Sequence, residues 1–124
     1  MDALRIAGDD CYWLSDWKTA VDYYRRYLEK NRSGVVGDAA RRSYAYALES
    51  ISKYEEAGSA YDALVGKFDR ESSAEFLMAS ARCQMALSKP EEAVKRLQRV
   101  LDEFAETGAA ASARVRLAEI QAAR

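Results

Sequence analysis

Ser15-Asp16-Trp17-Lys18-Thr19-Ala20 returns as Ser52-Lys53-Tyr54-Glu55-Glu56-Ala57 and again as Ser88-Lys89-Pro90-Glu91-Glu92-Ala93, so that the closing alanines stand 37 and 36 residues apart. A period of this size marks a stacked repeat. Downstream of each alanine an apolar side chain recurs at four residues (Tyr24, Tyr61, Leu97), seven (Tyr27, Leu64, Val100) and eight (Leu28, Val65, Leu101). Those offsets trace one face of a helix. Upstream, Leu14, Ile51 and Leu87 precede the alanine by six residues, and the small residues Gly8, Ala45 and Ala81 precede it by twelve. Each unit is therefore a helix A followed by a helix B, with small side chains where the pair approaches closely. Ala118 lies 37 residues after Ala81, which predicts a last A helix that has no B and caps the stack.

Composition agrees with helices. Alanine occurs 23 times among the 124 residues, against seven Val, three Ile and two Thr, so helix formers dominate and β-branched residues are scarce. Gly34, Gly37, Gly66, Pro90 and Gly108 punctuate the chain, and the segments between breaks predict seven helices at about 2–14, 16–31, 39–51, 53–68, 73–87, 89–104 and 110–122. Ser52, Ser72 and Ser88 each stand three residues before a Glu, the capping-box spacing. Pro90 then falls in a first turn, where its missing N–H is no loss. Asp38 suits an N-cap, with Gly34 and Gly37 in the loop before it.

Chemistry has little to work with. There is no His, which removes the commonest general base and the usual transition-metal ligand. The pairs Asp9-Asp10, Glu55-Glu56 and Glu91-Glu92 lie on helices, where adjacent side chains diverge and cannot share one ion. Cys11 and Cys83 fall on the A helices of the first and third units, too far apart to bridge and without an activating base, so both are expected as buried thiols. No catalytic residue, metal site or cofactor is expected. A net charge of −1 gives no field to attract a polyanion, and the adjacent basic pairs Arg25-Arg26 and Arg41-Arg42 are too few for a nucleic-acid stripe. No apolar run is long enough to span a bilayer, and MDALRIAGDD lacks the layout of a signal peptide, so no direct membrane insertion is expected.

The hexapeptides SDWKTA, SKYEEA and SKPEEA, with small residues at the helix crossings and an aromatic opening the first two B helices, resemble the tetratricopeptide repeat (TPR) family. Ser stands where that family has a turn Gly, and the family's Pro after each B helix is absent. The longer period is similar to that of bacterial extracytoplasmic TPR domains, such as the C-terminal domain of the Tol–Pal-associated periplasmic cell-division coordinator. The resemblance implies an all-α, right-handed superhelical solenoid filling 1–124 as one domain: repeats at 2–37, 38–72 and 73–109 and a capping helix at 110–122. It implies a non-enzymatic scaffold, in the periplasm or envelope by likeness to those relatives, while the sequence itself leaves a cytoplasmic setting open.

In the TPR fold the A helices line a concave surface. By that register the groove comprises Arg5, Asp9, Tyr12, Trp13, Arg42, Tyr46, Glu49, Met78, Arg82 and Met85, an aromatic, Met and Arg lining of the kind binding surfaces favour. Its mixed charge suits a peptide or protein segment. The clamp by which some TPR domains hold chaperone tails would fall on Arg5, Asp9, Ser43, Glu75 and Ala79, which keeps one of five basic or amide positions and disfavours that ligand. The alternative is a self-associating structural module of a larger envelope protein, a homo-oligomer that uses the open side of the first helix.

Overall fold

The described residues, 2–30 and 33–123 of a computed structural model, form helices and no strand. In chain order these are α1 (Ala3–Trp13), α2 (Trp17–Leu28), α3 (Gly34–Ser50), α4 (Tyr54–Leu64), α5 (Arg70–Ala86), α6 (Pro90–Glu103) and α7 (Ala109–Ala122). The all-α helical repeat is thus present, and two compact units divide it, Met1–Ala60 and Tyr61–Arg124. In the first, α1 packs on α2 and α2 on α3; in the second, α6 packs on both α5 and α7.

The repeat shows most directly in its turns. Ser15, Ser52 and Ser88 sit at φ of 60°, 63° and 60°, the left-handed region that L-residues other than Gly, Asn and Asp seldom enter. Around Ser52, its own N–H reaches the Glu49 carbonyl and the next N–H, of Lys53, reaches that of Leu48. The same two bonds close the turn at Ser15 and Asp16, to Tyr12 and Cys11, and at Ser88 and Lys89, to Met85 and Gln84. This is the Schellman motif, in which a left-handed residue lets the last carbonyls of a helix find donors. At Ser15 and Ser88 the motif hands the chain directly to the next helix, because Asp16 and Lys89 are themselves the N-caps of α2 and α6.

The capping-box expectation is therefore corrected. Ser52 and Ser88 end the preceding helix instead of starting the next, and Ser72 lies inside α5. The α5 cap is Asp69, whose carboxylate accepts from the Ser72 N–H at 3.0 Å. Asp16 does the same for Thr19 at α2. Asp38 is also not a cap, since α3 begins at Gly34; its carboxylate instead meets Arg41 one turn on at 3.4 Å. Gly37, expected in a loop, is buried within α3. Helix α4 stops at Leu64, short of 68, because the chain turns at Gly66 with φ of 89°. The expected end of the second helix, at 31, lies outside the described residues.

The periodic face forms the core. Ala20, Ala57 and Ala93 are all completely buried, and Tyr24, Tyr61, Leu97, Tyr27, Leu64 and Val100 are buried with them. Gly8, Ala45 and Ala81 are buried on the A helices. In the second unit Ala74, Leu77 and Ala81 of α5 join Ala93, Leu97 and Val100 of α6 and Ala110, Ala113 and Leu117 of α7 in one cluster. Arg96 ties three helices together around it, donating to Asp62 of α4 at 2.8 Å, to the Ser80 hydroxyl at 2.7 Å and to Glu92 at 3.1 Å. Leu14 departs from its counterparts: it is exposed, whereas Ile51 and Leu87 are half-buried.

Candidate functional site

Each unit carries its own candidate surface. In the first, Tyr12 of α1 is surrounded by three rings: Trp13 at 5.6 Å, Trp17 at 5.2 Å and Tyr46 of α3 at 6.0 Å between centroids. Trp17 also meets Tyr46 edge-on at 5.4 Å. Edge-to-face contacts of this kind place the positive ring edge against a negative face and hold the rings in fixed orientations. The cluster is not a closed core, because Trp13 is 80% exposed and Tyr46 46%. Burial raises the Tyr12 phenol above its ordinary range, as does Tyr46, while the Arg42 cation opposes them. Tyr12 is therefore an uncharged hydrogen-bonding group at neutral pH.

Arg5 and Asp9 flank this cluster but are occupied within the fold. The Asp9 carboxylate accepts from the Tyr24 hydroxyl at 2.6 Å and from Arg5 at 3.0 Å. Burial and the Asp9 carboxylate push the Tyr24 phenol far up. The pair thereby fastens α1 to α2. Arg42 is exposed and Glu49 half-buried on α3.

In the second unit Met78, Arg82 and Met85 of α5 line a cleft of about 900 Å³, with α7 as its other wall. Val115 and Ile120 supply the apolar side of that wall, and Arg116 and Glu119 the charged side. Glu75 closes the α5 wall. Arg116 and Glu119 are paired at 3.4 Å, so neither sign of charge dominates the opening.

The ten groove residues named from the sequence thus fall into two sets, seven in the first unit and Met78, Arg82 and Met85 together in the second. Trp17 opens a B helix and so falls outside a groove register built on A helices alone. Val115 and Glu119 were legible: they stand 37 residues after Met78 and Arg82, the spacing that relates Ala81 to Ala118. Cys83 is buried as expected, whereas Cys11 is only half-buried, and neither forms a disulfide. Burial, Asp16 and Asp10 all raise the Cys11 thiol, which makes it a poor nucleophile at neutral pH.

Helix α5, the Schellman turn at Ser88 and α6 make one complete A–B unit. Residues 75–107 match the tetratricopeptide repeat family. No curated protein matches the chain. The match runs from within α5, through the Ser88 turn, past the end of α6, the third A–B pair, and takes in the buried Ala81 and Ala93 and the α5 side of the cleft. TPR repeats are in general modules for protein–protein interaction. No helix among the described residues is long and apolar enough to cross a membrane.

Proposed function

We propose that this protein is a non-catalytic scaffold that docks a segment of a partner protein, with the cleft between α5 and α7 as an apolar docking site and the aromatic cluster of the first unit as a second anchor. The observation that supports it is the cleft of about 900 Å³ lined by Met78, Met85, Val115 and Ile120 beside Arg82, Glu75 and the Arg116–Glu119 pair. Methionines and aliphatic side chains accept the apolar face of an amphipathic segment, and the mixed charges on the rim set its direction and register. Tyr12, Trp13, Trp17 and Tyr46 offer rigid, amphipathic rings with little conformational entropy to lose. Arg42 and Glu49 border them as polar contacts. Arg5 and Asp9 act through Tyr24, and so contribute by holding α1 in place.

The repeat boundaries implied by the family, and an extracytoplasmic bacterial setting, belong to the same proposal; the period of 36–37 residues supports the latter. A displayed library of random peptides selected on the immobilised protein tests the docking function. Selected peptides should lose affinity at least about tenfold, some 1.4 kcal/mol, when Met85→Glu or Arg82→Ala is introduced, while helicity and melting stay unchanged. Peptides indifferent to Met85, Arg82 and Tyr46 alike would remove both sites from consideration.

A further inference from the structure

The outward side of α7 repeats, at 37 residues' spacing, the positions by which α5 is buried. Ala74, Leu77 and Ala81 of α5 belong to the core cluster, whereas their counterparts Ala111, Arg114 and Ala118 on α7 are exposed, with Val115 and Ala122 beside them. This exposed face is made of small side chains, Val115 and one arginine. Arg114 has no ion-pair partner among the described residues.

The outward side of α1 has the opposite character. Ala3, Ile6, Asp10 and Trp13 fall three and four residues apart on one stripe of the helix, away from buried Gly8, and all four are exposed. Ile6 is 51% and Trp13 80% accessible, and Leu14 just beyond is 79%. Among the described residues Asp10 carries no ion-pair partner either. Across α1, Asp2, Asp9 and Asp10 outweigh Arg5, while on α7 Arg114 and Arg116 outweigh Glu119.

We infer that α1 of one copy docks on α7 of a second copy, head to tail. Large apolar side chains, Ile6 and Trp13, meet a surface of alanines that leaves room for them, and the acidic helix meets the basic one, with Asp10 of one copy against Arg114 of the other. Stacked repeats bury each unit's open face against the next unit, and the contact continues that logic between molecules. Because the two faces differ, the contact is heterologous, pairing α1 of one copy with α7 of another, and association rises with concentration. Trp13 and Val115 are shared with the docking sites proposed above, whereas Asp10 and Arg114 lie outside them, so charge reversal at those two positions tests this contact separately.

Sedimentation velocity of the full chain from micromolar to millimolar concentration, at low and high salt, tests the contact. The mean mass should rise with concentration, and rise less at high salt. Asp10→Arg and Arg114→Asp each set like charges against one another, and each alone should weaken association about tenfold. An equimolar mixture of the two variants restores opposite charges at every junction, and so should the double variant in one chain; both should return to wild-type mass. Circular dichroism verifies that each variant is folded, and Tyr46→Ala with Arg82→Ala should leave the mass curve unchanged. A constant monomer mass throughout the range, association indifferent to either reversal, or a mixture no better than its components would each overturn the inference.

Discussion

Gly8 stands so close to the ring of Tyr24 that a Cβ added to it would come within 2.8 Å of Cε1 and 2.9 Å of Cδ1. The ring cannot step aside without cost, because its hydroxyl donates to Asp9 at 2.6 Å and the side chain is completely buried. Alanine is worth about 1 kcal/mol over glycine in a helix, yet overpacking a close contact costs about 1–3 kcal/mol. Gly8→Ala should therefore destabilise by about 1 kcal/mol or more in denaturant unfolding. A gain in stability would show that α1 and α2 are further apart than described.

The three left-handed serines carry strain that glycine would not. A left-handed L-residue costs roughly 1–2 kcal/mol, part of which glycine gives back through its freer unfolded chain. Ser15→Gly, Ser52→Gly and Ser88→Gly should each stabilise by about 0.5–1 kcal/mol. The three sites are far apart in sequence, so the effects should add. Destabilisation by any of them would mean that its hydroxyl contributes more than its backbone costs.

Ala57 is completely buried at the position that Ala20 and Ala93 occupy in the other repeats. Ala57→Leu should cost about 1–3 kcal/mol by overpacking the close approach of helices. A neutral result would place the repeat register on the wrong face.

The recurrence of Ala20, Ala57 and Ala93 with apolar residues four and seven positions on was enough to predict which side chains are buried, because burial follows helical periodicity directly. Helix ends were less legible. Ser52 and Ser88 satisfy the capping-box spacing by accident, since their local conformation is set by carbonyls of the preceding helix that no spacing of side chains reveals. Asp38 resembled a cap because Gly34 and Gly37 looked like breakers, yet α3 begins at Gly34 and Gly37 is buried within it. The site was half legible. Met78, Arg82 and Met85 do line one cleft, but its second wall on α7 and the part taken by Trp17 depend on how neighbouring helices pack, which is a tertiary property.

Arg70 donates to Glu106 across the loop after α6, and this hydrogen bond, with a backbone contribution, holds the Glu106 carboxyl at about 2, below the ordinary 4.5. A depressed carboxyl stabilises the fold fully above its ordinary value, and that contribution disappears as pH falls from about 4.5 toward 2. Following the side-chain carboxyl carbon by NMR should give a midpoint near 2 in the native protein, and Arg70→Gln should move it up toward 4.5. A native midpoint already near 4.5 would mean that the ion pair is not formed in solution.

The docking account stands or falls most directly on where a selected peptide touches the protein. Amide and methyl shifts recorded while a library-selected peptide is titrated into the labelled chain should change at Met78, Met85, Val115 and Ile120. Smaller changes are expected at the Trp13 and Trp17 indoles, and none on the outward residues of α6 such as Gln98. Shifts confined to α2 or to the outward residues of α6, with the four cleft side chains silent, would contradict it.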